Sequence, residues 1–93
     1  MNVKLDPDFL KKLKKLDVRI RKSFKKRITI FAKNPKHPQL NNHILRQPYE
    51  GLRSIDITND YRAVYEEIQE ADEKIAYFVL FGTHEELYGR KVG

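Results

Sequence analysis

The sequence predicts an α+β fold in the order strand, helix, helix, strand, strand, strand, with a basic helical hairpin lying on one face of the sheet. Three observations predict it. Apolar residues recur every three or four positions from Phe9 to Phe31, in two stretches that each open on an aspartate. From Arg53 onward the period shortens to two, and it ends in a continuous apolar run, Ile75–Phe81. Between them, Asn34, Pro35, Pro38, Asn41, Asn42, Pro48 and Gly51 punctuate a stretch with neither period. Helical elements followed by consecutive strands suit an α+β layer arrangement better than an alternating one. The chain, residues 1–93, reads as one small domain.

Residues 1–5 alternate weakly, with Val3 and Leu5 on one side, and form the first strand. Asp6-Pro7 starts a helix: the carboxylate accepts from the first turn's free amides, and proline suits the first helical position. Phe9, Leu10, Leu13 and Leu16 follow at helical spacing, while Lys11, Lys12, Lys14 and Lys15 face water. Asp17 caps a second helix, whose buried stripe is Ile20, Phe24, Ile28 and Phe31 and which Asn34-Pro35 ends. Residues 34–51 are expected as a loop, long enough to carry function.

An antiparallel meander is expected next. In residues 53–57, Ile55 and Ile57 point inward, with Ser54 and Asp56 on the opposite face. Thr58-Asn59-Asp60 makes a tight turn, and residues 61–68 return. Residues 70–73 form a polar turn, and the run 75–81, apolar on both faces, belongs inside the sheet. Gly82 breaks that strand. Thr83 and Glu86 then have the spacing of a capping box, which sets His84 and Tyr88 four residues apart on one side of a helical turn. Residues 90–93 read as a frayed tail. The helices take one face of the sheet, which leaves the other free to bind.

Composition narrows the function. There is no cysteine, which excludes disulfides and thiolate metal sites. No apolar run approaches the roughly 20 residues needed to span a bilayer, and no signal-peptide core is present, so the expected location is cytoplasmic. The net charge of +6 is divided unevenly. Residues 1–50 carry 14 Lys and Arg against 4 Asp and Glu; residues 51–93 carry 5 against 9. A basic half suggests a polyanion partner, most simply nucleic acid.

The polar residues expected at the free face and its ends are Asp56, Asp60, Arg62, His84, Tyr88 and the loop residue His43. RNA cleavage needs no metal or cofactor when a base takes the 2′-hydroxyl proton, a cation stabilises the charged phosphorane and an acid protonates the leaving 5′-oxygen. Histidine suits the acid and base roles, and arginine matches phosphate geometry. The three histidines lack metal-ligand spacing, and neither a nucleophile elbow nor a glycine-rich phosphate loop is present. His37, between two prolines in sequence, reads as an exposed loop residue.

The motifs Gly51-Leu52-Arg53-Ser54-Ile55-Asp56-Ile57, Asn59-Asp60-Tyr61-Arg62-Ala63-Val64-Tyr65 and Gly82-Thr83-His84-Glu85-Glu86-Leu87-Tyr88-Gly89 resemble the RelE/ParE toxin superfamily of type II toxin–antitoxin systems. They are most similar to the YafQ-like branch of RelE ribonucleases. The resemblance implies metal-independent cleavage of mRNA in the A site of the 70S ribosome, and a cognate antitoxin that wraps and blocks the toxin. It implies His84 as a general acid or base, Tyr88 as an aromatic that orients RNA or aids proton transfer, Arg62 on the scissile phosphate and Asp60 as a catalytic turn aspartate. His43 falls near the branch's loop histidine. Where the branch carries a further histidine on the first meander strand, this chain has Asp56, so either Asp56 is the base, or His43 takes that role, or activity is low. Lys22, Lys25 and Lys26 would meet rRNA phosphates, and Arg53 would support the sheet or contact RNA backbone. Two other readings stand beside this one: a ParE-like gyrase poison without RNase chemistry, and a degenerate nucleic-acid-binding domain.

Overall fold

The computed structural model describes residues 1–89. The expected tail, residues 90–93, lies outside the described residues. β1 (Asn2–Leu5) leads through α1 (Pro7–Lys14) and α2 (Val18–Lys33) to β2 (His43–Ile44), β3 (Arg53–Asp56), β4 (Tyr61–Glu70) and β5 (Glu73–Thr83), and a short α3 (His84–Tyr88) follows. The five strands form one sheet in the order β1-β5-β4-β3-β2. The fold is α+β, with the helices on one face.

Both helix starts follow the aspartates. Asp6 accepts from the Asp8 amide and Asp17 from the Arg19 amide. α1 buries Phe9 and Leu13, and α2 buries Phe24 and Phe31. Ile20 and Ile28 pack at the margin of the same core. Leu10, expected on the buried stripe, is 36% exposed: the helix turns it away from the core that Phe9 and Leu13 face. The core is aromatic. Phe9, Phe24, Phe78 and Phe81 meet at ring separations of 5.3 to 5.8 Å, and Phe31 lies edge-on to Tyr65 at 5.0 Å. Truncating a ring this buried costs about 3–5 kcal/mol.

The sheet departs from the expected order in three places. β1 pairs in parallel with β5, from Asn2 opposite Ile75 to Leu5 opposite Phe78, so the apolar run lies between β1 and β4, away from any edge. Its apolar character on both faces is what an interior strand requires. The segment expected as a loop contains a 3-10 turn (Pro38–Leu40) and the edge strand β2. His37 is therefore a cap, its Nδ1 accepting from the Gln39 amide at 3.1 Å. A two-residue strand has too few residues to show a period, which is why β2 is invisible in the sequence. Finally, β5 does not break at Gly82 but continues to Thr83. Gly82 leaves room: a Cβ there would come within 2.8 Å of Glu86 Oε1 and 3.1 Å of Lys12 Nζ.

Candidate functional site

Strand register decides which side chains share the face opposite the helices. Ser54 lies opposite both His43 and Val64, Val64 opposite Leu80, and Asp56 opposite Arg62, which lies opposite Gly82. Side chains directly opposite one another, and those two residues apart, point the same way. His43, Ser54, Asp56 and Arg62 therefore lie on one face, and Ile55 and Ile57 on the other, in the core.

That face is not wholly free. Ser54 and Val64 are fully buried. Residues 45–52 link β2 to β3 and are tied at their base by the Leu45 amide donating to the Leu52 carbonyl at 2.9 Å. From this segment Tyr49 reaches α3, where its hydroxyl donates to the Leu87 carbonyl and its ring meets Tyr88 at 5.9 Å. At one end of the sheet, where β3 and β5 end and β4 begins, Asp56 and Arg62 are half-buried and His84 is exposed.

At that end α3 is built by its capping box. Thr83 Oγ1 accepts from the Glu86 amide at 3.0 Å and Glu86 Oε1 from the Thr83 amide at 2.9 Å. The Thr83 amide and the neighbouring Lys12, with its ammonium 3.4 Å away, hold the Glu86 carboxyl below its ordinary range. The cap fixes the helical turn, and the turn brings His84 and Tyr88 into contact, ring centroids 4.5 Å apart. His84 is exposed. The Tyr88 hydroxyl is buried without a hydrogen-bond partner among the described residues. The His84 amide donates to the Asp60 carbonyl at 2.8 Å, which joins α3 to the β3–β4 turn.

Arg62 organises that turn. Its Nη1 donates to the carbonyls of Thr58, Asn59 and Tyr61 at 3.0 to 3.1 Å. Its Nε lies 3.0 Å from Asp56 Oδ1, an ionic contact whose N–H is not aimed at the oxygen. Asp56 Oδ2 also accepts from Asn41 Nδ2 at 3.3 Å. Asp56 Oδ1 thus faces the Arg62 guanidinium without a hydrogen bond among the described residues, and the pair holds Arg62 at the turn. The Asp60 carboxylate is exposed and forms no ion pair among the described residues.

His43 stands apart. It lies on β2, three strand spacings from β5, or about 14 Å across the sheet. Its Nδ1 is 2.8 Å from the Asn41 carbonyl, which can only accept, so the Nδ1 carries the proton and the Nε2 lone pair is left to face solvent when the ring is neutral. Arg53 lies on the opposite face, beside Tyr65. Lys22, Lys25 and Lys26 border a groove of about 590 Å³ with Thr29 and Ile30 on the outer side of α2, also away from His84. Among the described residues no three His, Cys, Asp or Glu side chains gather as a metal-binding group would, and no helix is long and apolar enough to cross a membrane.

The structure thus brings together His84, Tyr88, Arg62 and Asp56 with the Asp60 turn, and leaves His43, Arg53 and the lysines elsewhere. Sequence reasoning missed Tyr49 and Arg27. Half-buried Arg27 donates to the Gln39 carbonyl and, at 3.5 Å, to that of Asp56, which locks the 3-10 turn beside β3. The only signal for either was an aromatic or a cation with no place in a periodic stripe.

Residues 3–88 match the family model described as the ParE toxin of the type II toxin–antitoxin system parDE. The chain belongs to the ParE toxin family. It is a toxin of a type II toxin–antitoxin system within the RelE/ParE superfamily. No curated protein sequence matches it. Among solved structures the toxin is similar to YafQ from Escherichia coli strain BL21(DE3), at 22% identity over 95% of this chain and 98% of that one, with a TM-score of 0.74. It is similar to a YoeB/ParE toxin from Agrobacterium tumefaciens at 17% identity over 90% and 99% of the two chains, TM-score 0.72. It is also similar to the E. coli DinJ–YafQ complex at 20% identity over 95% and 98%, TM-score 0.60. At these identities the likeness is one of fold.

Proposed function

We propose that this toxin is an endoribonuclease that cleaves mRNA in the ribosomal A site, using only its own side chains, and that a cognate antitoxin restrains it in the cytoplasm. The observation that carries this reading is the contact between exposed His84 and Tyr88, whose buried hydroxyl lacks a partner among the described residues, at the end of the sheet that Arg62 organises. A buried hydroxyl left unpaired costs about 1–3 kcal/mol, a cost better suited to a ligand site than to a core.

The roles follow from what each group has free. The Asp60 carboxylate takes the proton of the 2′-hydroxyl. The 2′-oxygen bonds to phosphorus and the bond from phosphorus to the 5′-oxygen breaks, giving a 2′,3′-cyclic phosphate. Protonated His84 delivers its proton to the departing 5′-oxygen. Arg62 has its Nη1 on the turn and its Nε beside Asp56, which leaves Nη2 for a phosphate oxygen. The Tyr88 hydroxyl donates to the same group. The E. coli YafQ structure with DinJ supports an antitoxin as the partner.

The family match favours a second reading, a gyrase poison that does no RNA chemistry. Mapping mRNA 5′ ends after brief induction, beside a His84→Ala control, separates the two. New ends within translated codons that vanish in the control are the expected result. Growth arrest without new ends overturns the ribonuclease reading in favour of gyrase, and a fully active His84→Ala variant removes His84 from the site.

A further inference from the structure

On the helix side of the sheet, remote from His84, a cavity of about 410 Å³ is lined by Asn42, Arg53, Tyr65, Lys36, Lys74 and Glu67 among others. We propose that this cavity is a second binding site, for a phosphate-type oxyanion. The orientation of one amide carries the inference. Arg53 Nε donates to Asn42 at 2.9 Å, and a guanidinium can only donate, so the Asn42 oxygen faces Arg53. The Asn42 nitrogen must then face the other way, where it donates to the Pro35 carbonyl at 2.9 Å and to the Tyr65 phenol oxygen at 2.8 Å. That oxygen is therefore an acceptor in this network, and the Tyr65 proton has no acceptor among the described residues.

Tyr65 is 1% exposed, and burial pushes its ionisation above the ordinary phenol range. It remains a donor at neutral pH. Arg53 forms no ion pair among the described residues, and its Nε anchor on Asn42 holds the guanidinium in one orientation. Lys36 and Lys74 add two exposed ammonium groups at the rim against the single carboxylate of Glu67. The side chains lining it thus carry a net charge of +2, with the anchored Arg53 guanidinium beside the Tyr65 hydroxyl. A phosphate supplies several acceptor oxygens and close to two negative charges, whereas a carboxylate supplies two oxygens and one charge. The site is independent of the proposed cleavage chemistry, because it lies on the other face and shares no residue with it.

The test is an amide-resolved NMR titration of the full chain with inorganic phosphate, at ionic strength held constant with chloride. Saturable shifts at Lys36, Asn42, Arg53 and Lys74, with His84 unmoved, are expected. Replacing both rim lysines, Lys36→Gln with Lys74→Gln, leaves the core intact and should raise the phosphate midpoint roughly tenfold. Tyr65→Phe keeps the ring and should weaken binding by removing the donor. Shifts that never saturate, that are unchanged by the lysine replacements, or that acetate reproduces at equal concentration overturn the site. A short single-stranded RNA added to the phosphate complex identifies the source. Displacement of phosphate with the same shifts assigns the site to a nucleic-acid backbone, and no displacement assigns it to free phosphate or a mononucleotide.

Discussion

Arg62 serves the fold and the proposed chemistry with different nitrogens of one guanidinium. Nη1 ties three turn carbonyls and Nε meets Asp56, so lysine, with one nitrogen, cannot replace it. Arg62→Lys should lower stability by about 1–2 kcal/mol in urea unfolding, and should reduce RNA cleavage well beyond what that loss accounts for at a temperature where the variant stays folded. Cleavage that tracks only the folded fraction would make Arg62 purely a turn residue. The residue scale also shows which parts of the site were legible in sequence. His84 and Tyr88 meet because four residues on a capped turn must meet, a local rule that spacing alone reveals. Tyr49 and Tyr88 meet across 39 positions, and nothing in the spacing of either announces the other. The distance of His43 from His84 was hidden for the same reason: it depends on which edge of the sheet β2 occupies.

α3 is short enough that its cap decides whether it exists. The sign of its pH dependence follows from Glu86, whose carboxyl is held below its ordinary value of 4.5, first by the Thr83 amide. A depressed carboxyl stabilises the fold fully above its unfolded value, and that contribution is lost as pH falls through the folded one. Amide protection in α3 should therefore fall as the pH drops below the ordinary glutamate value of 4.5, and Glu86→Gln should abolish that dependence. Asp6, also held low, chiefly by the Tyr77 hydroxyl, caps α1 instead, so exchange read residue by residue separates the two. Among the elements, both long helices were legible because each opens on an aspartate and carries a period over several turns. β3 and β4 were legible from alternation, and β5 from its continuous apolar run. The parallel partnership of β1 and β5 was not, since strand patterns state which face is buried and not which strand lies alongside.

Taken whole, the molecule separates its charges by face. The open end of the sheet carries His84, Asp60 and the Arg62–Asp56 pair, while Lys22, Lys25 and Lys26 lie exposed on the far side of α2. If the toxin works on the ribosome, the lysines bind rather than react. Lys25→Glu with Lys26→Glu should weaken ribosome association and flatten its salt dependence, as measured by cosedimentation at several ionic strengths. Unchanged sedimentation would remove α2 from the contact surface. The basic character of the first half was plain in composition, but its separation from the reactive end was not, because that separation is set by which face the helices cover.

The pairing of β1 with β5 also governs the order in which the chain can become a toxin. During synthesis the first strand emerges long before the strand that must lie beside it, and β5 also carries Phe78 and Phe81 into the aromatic core. Until residues 73–83 have left the ribosome the sheet has no middle, and His84 follows them. Contacts between such distant parts of a chain form late. A truncated product ending before β5 therefore lacks both the middle of the core and the capped turn that carries His84 and Tyr88, so incomplete translation yields a fragment that cannot fold into the toxin.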